Sequence, residues 1–126
     1  MPPTSLRIVA TVLGCSDPGV LASFYERLLG WSRVTDKPNW VTVRPPSGGT
    51  GLSFQREEDY VAPVWPTRRG AQQIMMHLDI AVEDLDAGVV WAIQAGAALA
   101  EHQPQDRVRV MLDPAGHPFC LFPASV

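Results

Sequence analysis

Apolar and polar positions along this chain fall into blocks of two periods. Leu6 to Cys15 is an apolar run rich in Val and Ile that stops at Ser16-Asp17-Pro18, the pattern of a buried strand that ends where a helix begins. Ser16 or Asp17 can cap that helix, and Pro18 suits its first turn. Val20, Leu21, Phe24, Leu28 and Leu29 then recur at helical spacing until Gly30 ends the pattern. Three short strands are predicted next, at Trp31 to Thr35, Trp40 to Arg44 and Gly51 to Arg56. The turns between them come from Asp36-Lys37-Pro38-Asn39 and Pro45-Pro46-Ser47-Gly48-Gly49.

The second half repeats this order. Ile74 to Val82 reads as a strand, Glu83 to Ala97 as a helix, and Ala98 to Glu101, Arg107 to Leu112 and Pro118 to Phe122 as strands. A single shift of 67 positions lays Asp17 on Asp84, Phe24 on Trp91, Val41 on Val108, Val43 on Val110 and Gly49 on Gly116. Residues 57–73 have no counterpart and hold Pro63, Pro66 and several charges, so they read as a connector. The prediction is a single α+β domain of two tandem β-α-β-β-β units, about 6–56 and 74–123. A sheet with a helix on one face needs a cover for the other. The two curved mixed sheets are therefore expected to pair around a cleft, with the helices outside.

Strand alternation assigns side chains to that cleft. In the strand at 74–82, Met76, Leu78, Ile80 and Val82 form the apolar set, leaving Met75, His77, Asp79 and Ala81 for the concave face. At 40–44 the valines Val41 and Val43 go to the helix, leaving Trp40, Thr42 and Arg44. At 107–111 the same rule buries Val108 and Val110 and turns Arg107, Arg109 and Met111 inward. With Ser53, Gln55 and Cys120 from the last strand of each unit, the candidate ligand-binding set is Trp40, Arg44, Ser53, Gln55, Met75, His77, Asp79, Arg109 and Cys120. Such a mixture of aromatic, sulfur and charged side chains suits a pocket with a few placed polar groups better than a second core.

Composition narrows the partners. The chain has 126 residues, 46% of them hydrophobic, enough for one packed core. Ten basic residues against thirteen acidic ones give a net charge of −3, and the basic residues form no stripe, which argues against nucleic acid. No window approaches the ~20 apolar residues of a membrane span, and Met1 to Arg7 lacks the apolar core of a signal peptide. A cytoplasmic location without membrane partners is expected, with Cys15 and Cys120 as free thiols.

Three stretches carry a family resemblance across almost the whole chain. They are Asp17 followed by Phe24-Tyr25-Glu26-Arg27-Leu28-Leu29-Gly30-Trp31; His77-Leu78-Asp79 leading to Val82-Glu83-Asp84-Leu85-Asp86; and Leu112-Asp113-Pro114-Ala115-Gly116-His117-Pro118-Phe119-Cys120-Leu121. In this order and spacing the chain resembles the vicinal oxygen chelate superfamily of glyoxalase I, bleomycin-resistance proteins, fosfomycin-resistance enzymes and extradiol dioxygenases, and looks most like its compact glyoxalase-like members. The resemblance implies four metal positions, here Ala10, Ser53, His77 and Cys120. His77 alone is a usual ligand of that family, so no cofactor is expected, and a divalent metal is the minor alternative. It also implies a homodimer, with pockets completed either within one chain or between two.

Two kinds of function follow. One is a binding protein for a small planar or aromatic molecule, as in the bleomycin-resistance branch, which needs only a pocket. The other is an enzyme: a metal-dependent lyase, isomerase or dioxygenase, or a metal-free variant in which His77 and Asp79 are catalytic and move a proton. His77 can equally be satisfied by Asp79 or a carbonyl, and Asp79 can pair with an arginine. Cys120 has no helix start or cation beside it to activate it. Arg44, Arg107 and Arg109 can bind an anion or project to solvent, and Trp40 can stack on a ligand or fill space. Gly48-Gly49-Thr50-Gly51 lacks the lysine of a phosphate loop and reads as a hairpin turn. His117 reads as structural, His102 is assigned nothing, and Tyr60 and Trp65 in the connector suit either a lid or a subunit contact.

Overall fold

The computed structural model describes residues 5–124. Met1 to Thr4, part of the segment read above for a leader, lie outside them, as do Ser125 and Val126. The chain divides between Glu58 and Asp59 into two units. The first holds β1 (Ala10–Cys15), α1 (Pro18–Leu29), β2 (Ser32–Lys37), β3 (Trp40–Arg44) and β4 (Gly51–Arg56). The second holds β5 (Leu78–Val82), α2 (Leu85–Ala95), β6 (Ala98–Leu99), β7 (Arg109–Leu112) and β8 (Pro118–Pro123). Each unit is one four-stranded mixed sheet, ordered β1-β4-β3-β2 in the first and β5-β8-β7-β6 in the second. In both, the first strand runs parallel to the last and the remaining pairs are antiparallel. The chain is thus the doubled β-α-β-β-β unit of the expected α+β class.

Local chemistry explains the helix limits. The Asp17 carboxylate accepts from the Val20 amide at 3.2 Å, Pro18 opens α1, and Gly30 closes it at φ +70 with its amide on Glu26 O. Asp84 repeats the cap on α2, accepting from the Ala87 amide at 3.0 Å. Helix α1 packs Leu21, Phe24 and Tyr25 onto the sheet, where Tyr25 stacks on Phe54 of β4 at 5.5 Å between ring centres. Fully burying side chains of this kind stabilises by about 1.5–3 kcal/mol each relative to exposure. Arg33 of β2 ties the sheet to the helix through Glu26, Ser23 Oγ and the Gly19 carbonyl. Its hydrogen bond to Glu26, opposed in part by burial, raises the guanidinium pKa.

The outer strands are shorter than the apolar runs predict. β1 begins at Ala10 instead of Leu6, and β5 at Leu78 instead of Ile74. Both lie beside a strand that is preceded by a turn: Pro45–Thr50 before β4 and Asp113–His117 before β8. A strand has no ladder to join where its neighbour has not yet started. Met75 is therefore not a concave-face strand residue. It stands ahead of β5 and is 87% exposed.

The face assignment for β7 also needs correction. Val110 pairs with Cys120 and Met111 with Phe119, and Arg109 pairs with Leu121. Cross-strand partners share a face, so Val110 lies on the Cys120 face, while Met111 and Arg109 lie on the Phe119 and Leu121 face that is packed in the core. Register gives the reason. Ser53 corresponds to Cys120 at a shift of 67, but Thr42, the partner of Ser53, corresponds to Val110, the partner of Cys120, at a shift of 68. One extra residue before β7 moves every side chain to the opposite face. The assignment for β3 holds: Val41 pairs with Phe54 on the helix side, and Trp40 and Thr42 pair with Gln55 and Ser53 on the other.

Candidate small-molecule site

In the second unit, the sheet face away from α2 carries His77, Asp79 and Cys120 together. Asp79 and Cys120 are direct partners across the parallel β5–β8 pair; His77 stands one residue ahead of β5, not within the strand as predicted, and joins them through its side chain. His77 Nε2 lies 3.1 Å from Asp79 Oδ1. The Cys120 thiol has its pKa raised, first by burial and then by the charge and hydrogen bond of Asp79. At neutral pH it is a protonated thiol and a poor nucleophile.

Two cavities open on this face. The smaller, about 170 Å³, is lined by Trp65, His77, Pro104, Val108, Val110 and Cys120. The other, about 370 Å³, shares His77, Val108 and Cys120 and adds Asp79, Arg107 and Phe122. Trp65 is fixed as a wall because its indole N–H donates to the His102 carbonyl at 3.0 Å. Sequence left Trp65 undecided and placed Val108 and Val110 in the core. The signal that could have found them is β8, whose alternation puts Cys120 and Phe122 on one face, and that face needs apolar partners.

The other predicted residues lie elsewhere. In the first unit, Trp40, Gln55, Thr42 and Ser53 share the sheet face away from α1. The Trp40 indole N–H donates to Thr42 Oγ1 at 3.2 Å, and Thr42 Oγ1 lies 2.8 Å from Ser53 Oγ. Arg44 donates to the carbonyls of Val9 and Gly49 and borders a separate cavity of about 430 Å³ with Arg7 and Thr50. The Arg109 guanidinium folds back onto the Gln105, Asp106 and Val108 carbonyls, so the β7 correction takes it off the candidate face. Gly48 and Gly49 adopt φ of +83 and +100 in the β3–β4 connection, the backbone of a turn.

The turn before β8 is built around a buried carboxylate. Asp113 accepts from the amides of Ala115 and His117, both at 3.0 Å, and from His117 Nδ1 at 2.8 Å. Tyr60 Oη lies 3.2 Å from His117 Nε2 and donates to the Ala115 carbonyl at 2.7 Å. These contacts give His117 its expected structural role and place Tyr60 as a fastening for the chain that enters this unit.

The model of the glyoxalase-like domain matches residues 10–122. The chain belongs to the glyoxalase-like family. That places it with the vicinal oxygen chelate superfamily, as its motifs implied. Solved structures agree in fold. A glyoxalase/bleomycin resistance protein/dioxygenase family enzyme from Burkholderia phytofirmans PsJN is 18% identical with a TM-score of 0.70, over 92% of this chain and 97% of that one. An antibiotic binding protein from Streptomyces sp. CB03234 is 21% identical with a TM-score of 0.62, covering 98% of both chains. The trypanothione-dependent glyoxalase I of Leishmania major is 19% identical with a TM-score of 0.65, over 96% of this chain and 88% of that one. No protein of curated function matches the glyoxalase-like chain.

The four metal positions implied by the superfamily do not make a donor set here. Ala10 has no donor atom, and the Ser53 hydroxyl is buried and bonded to Thr42. A neutral hydroxyl engaged in this way is a poor ligand. His77 and Cys120 are the two of the four with usable donor atoms.

Proposed function

We propose that this glyoxalase-like protein binds a small, mainly apolar molecule with a planar face on the β5–β8 side of its second unit, without the superfamily's four-position metal. The observation that carries this reading is the pair of cavities walled by Trp65, Val108, Val110 and Phe122, with His77, Asp79 and Arg107 at one side. Apolar walls supply affinity, and a few polar groups fix orientation. The fixed Trp65 indole offers a flat surface for stacking. The similar Streptomyces protein, described as antibiotic binding, supports the class of ligand. A cytoplasmic homodimer is part of the same reading, which light scattering of the purified protein checks.

The test is a ligand-observed NMR screen of planar aromatic fragments against the wild-type chain and Val108→Trp, which fills the space shared by both cavities. Fragments that bind wild type and lose about tenfold or more in affinity to the variant support the reading. Fragments that bind both equally overturn it.

One observation favours a catalytic version. His77 and Asp79 at 3.1 Å form a carboxylate-oriented imidazole open to the cavity, an arrangement suited to taking up a proton. If this version holds, a bound compound is turned over, and His77→Ala abolishes turnover while leaving binding measurable. Turnover that survives His77→Ala excludes it.

A further inference from the structure

We propose that Arg7 and Arg44 form an anion site in the first unit that takes the phosphate group of a small phosphomonoester. The two guanidiniums border a cavity of about 430 Å³ together with Ile8, Val9, Gly49 and Thr50. All six residues belong to the first unit, and none of them lines the cavities of the β5–β8 face. The site therefore goes beyond the proposed function and does not rest on it.

Two backbone segments meet to build it. Gly51, the first residue of β4, donates its amide to the Val9 carbonyl at 2.9 Å, and Thr50 Oγ1 donates to the Ile8 carbonyl at 3.2 Å. These bonds lay residues 7–9, which lead into β1, along the turn that precedes β4. Arg44, at the end of β3, donates from Nη1 to the Val9 and Gly49 carbonyls, both at 3.2 Å. One nitrogen thus fixes its guanidinium across the two segments. Among the described residues, Arg44 Nε and Nη2, the Arg7 side chain and the amides of Gly49 and Thr50 donate to no protein group. The cavity is bordered by donors that the fold leaves unused.

Charge selects the ligand. Residues 5–16 and 44–56 contain no Asp or Glu, although the chain as a whole carries a net charge of −3. Neither Arg7 nor Arg44 has a carboxylate partner among the described residues, whereas Arg33 is paired with Glu26 and Asp36. Two guanidinium charges match a phosphate dianion, while a single carboxylate leaves one of them uncompensated. The planar fork of each guanidinium also offers paired N–H groups to phosphate oxygens. The cavity falls within the range of small-molecule pockets, about 300–1,000 Å³, which leaves room for an organic group against Ile8 and Val9. Binding makes and breaks no covalent bond.

Protein-observed NMR titration of the full-length protein tests it, with methyl phosphate as its dianion in one arm and acetate in the other. The expected result is saturable methyl phosphate shifts at the amides of Ile8, Val9, Gly49 and Thr50, with acetate bound about tenfold or more weaker. Arg7→Gln and Arg44→Gln should each weaken methyl phosphate about tenfold. Arg69→Gln, which removes the same charge from the connector, should leave the affinity unchanged. Arg44 also fastens the Val9 and Gly49 carbonyls, so Arg7→Gln is the deciding variant, and circular dichroism verifies that each variant is folded. No saturable shift at these amides, acetate bound as tightly as methyl phosphate, or wild-type affinity in Arg7→Gln overturns the proposal. An equal loss in Arg69→Gln overturns it as well, since net charge then explains the binding. The fragment screen reads the β5–β8 face, so either site can fail while the other stands.

Discussion

Replacing Asp113 by Asn removes one charge from the turn that sets β8 against β7. The carboxylate is fully buried and lies 2.8 Å from His77's fellow imidazole, His117 Nδ1. Against an ionised carboxylate that nitrogen must carry the proton it donates. The Asn amide oxygen can still accept from the Ala115 and His117 backbone amides. The other carboxylate oxygen becomes an NH₂ group, so Nδ1 keeps only its 3.0 Å contact to the remaining oxygen, now uncharged and shared with two backbone amides. The variant thus exchanges a charge-assisted hydrogen bond for a longer neutral one, a loss of about 1 kcal/mol or more. Asp113→Ala also strips the partner from two backbone amides, adding about 1 kcal/mol each. Urea unfolding followed by circular dichroism reads both values. In a His117→Ala background the Asn substitution should lose most of its effect, giving a coupling of about 1 kcal/mol or more. A loss under about 0.5 kcal/mol, or the same loss in both backgrounds, refutes the assignment of Asp113 to His117.

Further outcomes follow from the same contacts. Asp79 raises the Cys120 thiol pKa, so iodoacetamide labelling of Cys120 in Asp79→Asn should set in at lower pH than in wild type, as read by peptide mass spectrometry; unchanged onset contradicts the role given to Asp79. The raised pKa means the folded state holds the thiol proton more tightly than the unfolded chain. The associated stability is complete below the ordinary thiol value of 9.0 and is lost as pH rises through the higher folded value. The thermal midpoint should accordingly fall more steeply above pH 9 in wild type than in Cys120→Ser. Gly116 sits at φ +88 with the space for a Cβ only 2.9 Å from that of Ala62, so Gly116→Ala should cost about 1–3 kcal/mol in urea unfolding. Phe54→Ala should cost about 3–5 kcal/mol, since it empties the ring space beneath Tyr25.

Much of the fold was legible because the signals are local. Asp17-Pro18 and Gly30 mark a helix through groups within a few residues of each other, and Asp84 repeats the mark. The doubled order of elements is likewise visible, because strand and helix periods survive without sequence identity. The lateral position of a strand is different. Nothing within Arg107 to Leu112 says which of Val110 and Met111 faces the helix, because both are apolar and both are buried. Pairing with β8 decides it, and a one-residue change of register reverses the answer. The candidate site was legible in part for the same reason. Alternation pointed to His77 and Asp79 together, although His77 stands one residue ahead of β5 and meets Asp79 through its side chain, and Cys120 joins Asp79 through register. Trp65 stands in an irregular segment, and the carbonyl of His102 that fixes it is distant in sequence.

The most direct test of the account is a protein-observed NMR titration of the full chain with a planar aromatic fragment taken from the screen. Four tryptophan indole N–H signals are available, and that of Trp65, donated to His102, borders the smaller cavity. Saturable shifts are expected at the Trp65 indole and at the amides of Val108, Val110 and Cys120, with the Trp40 indole unmoved. Saturable shifts centred on Trp40, Thr42 and Ser53, with the Trp65 signal unchanged, would contradict it.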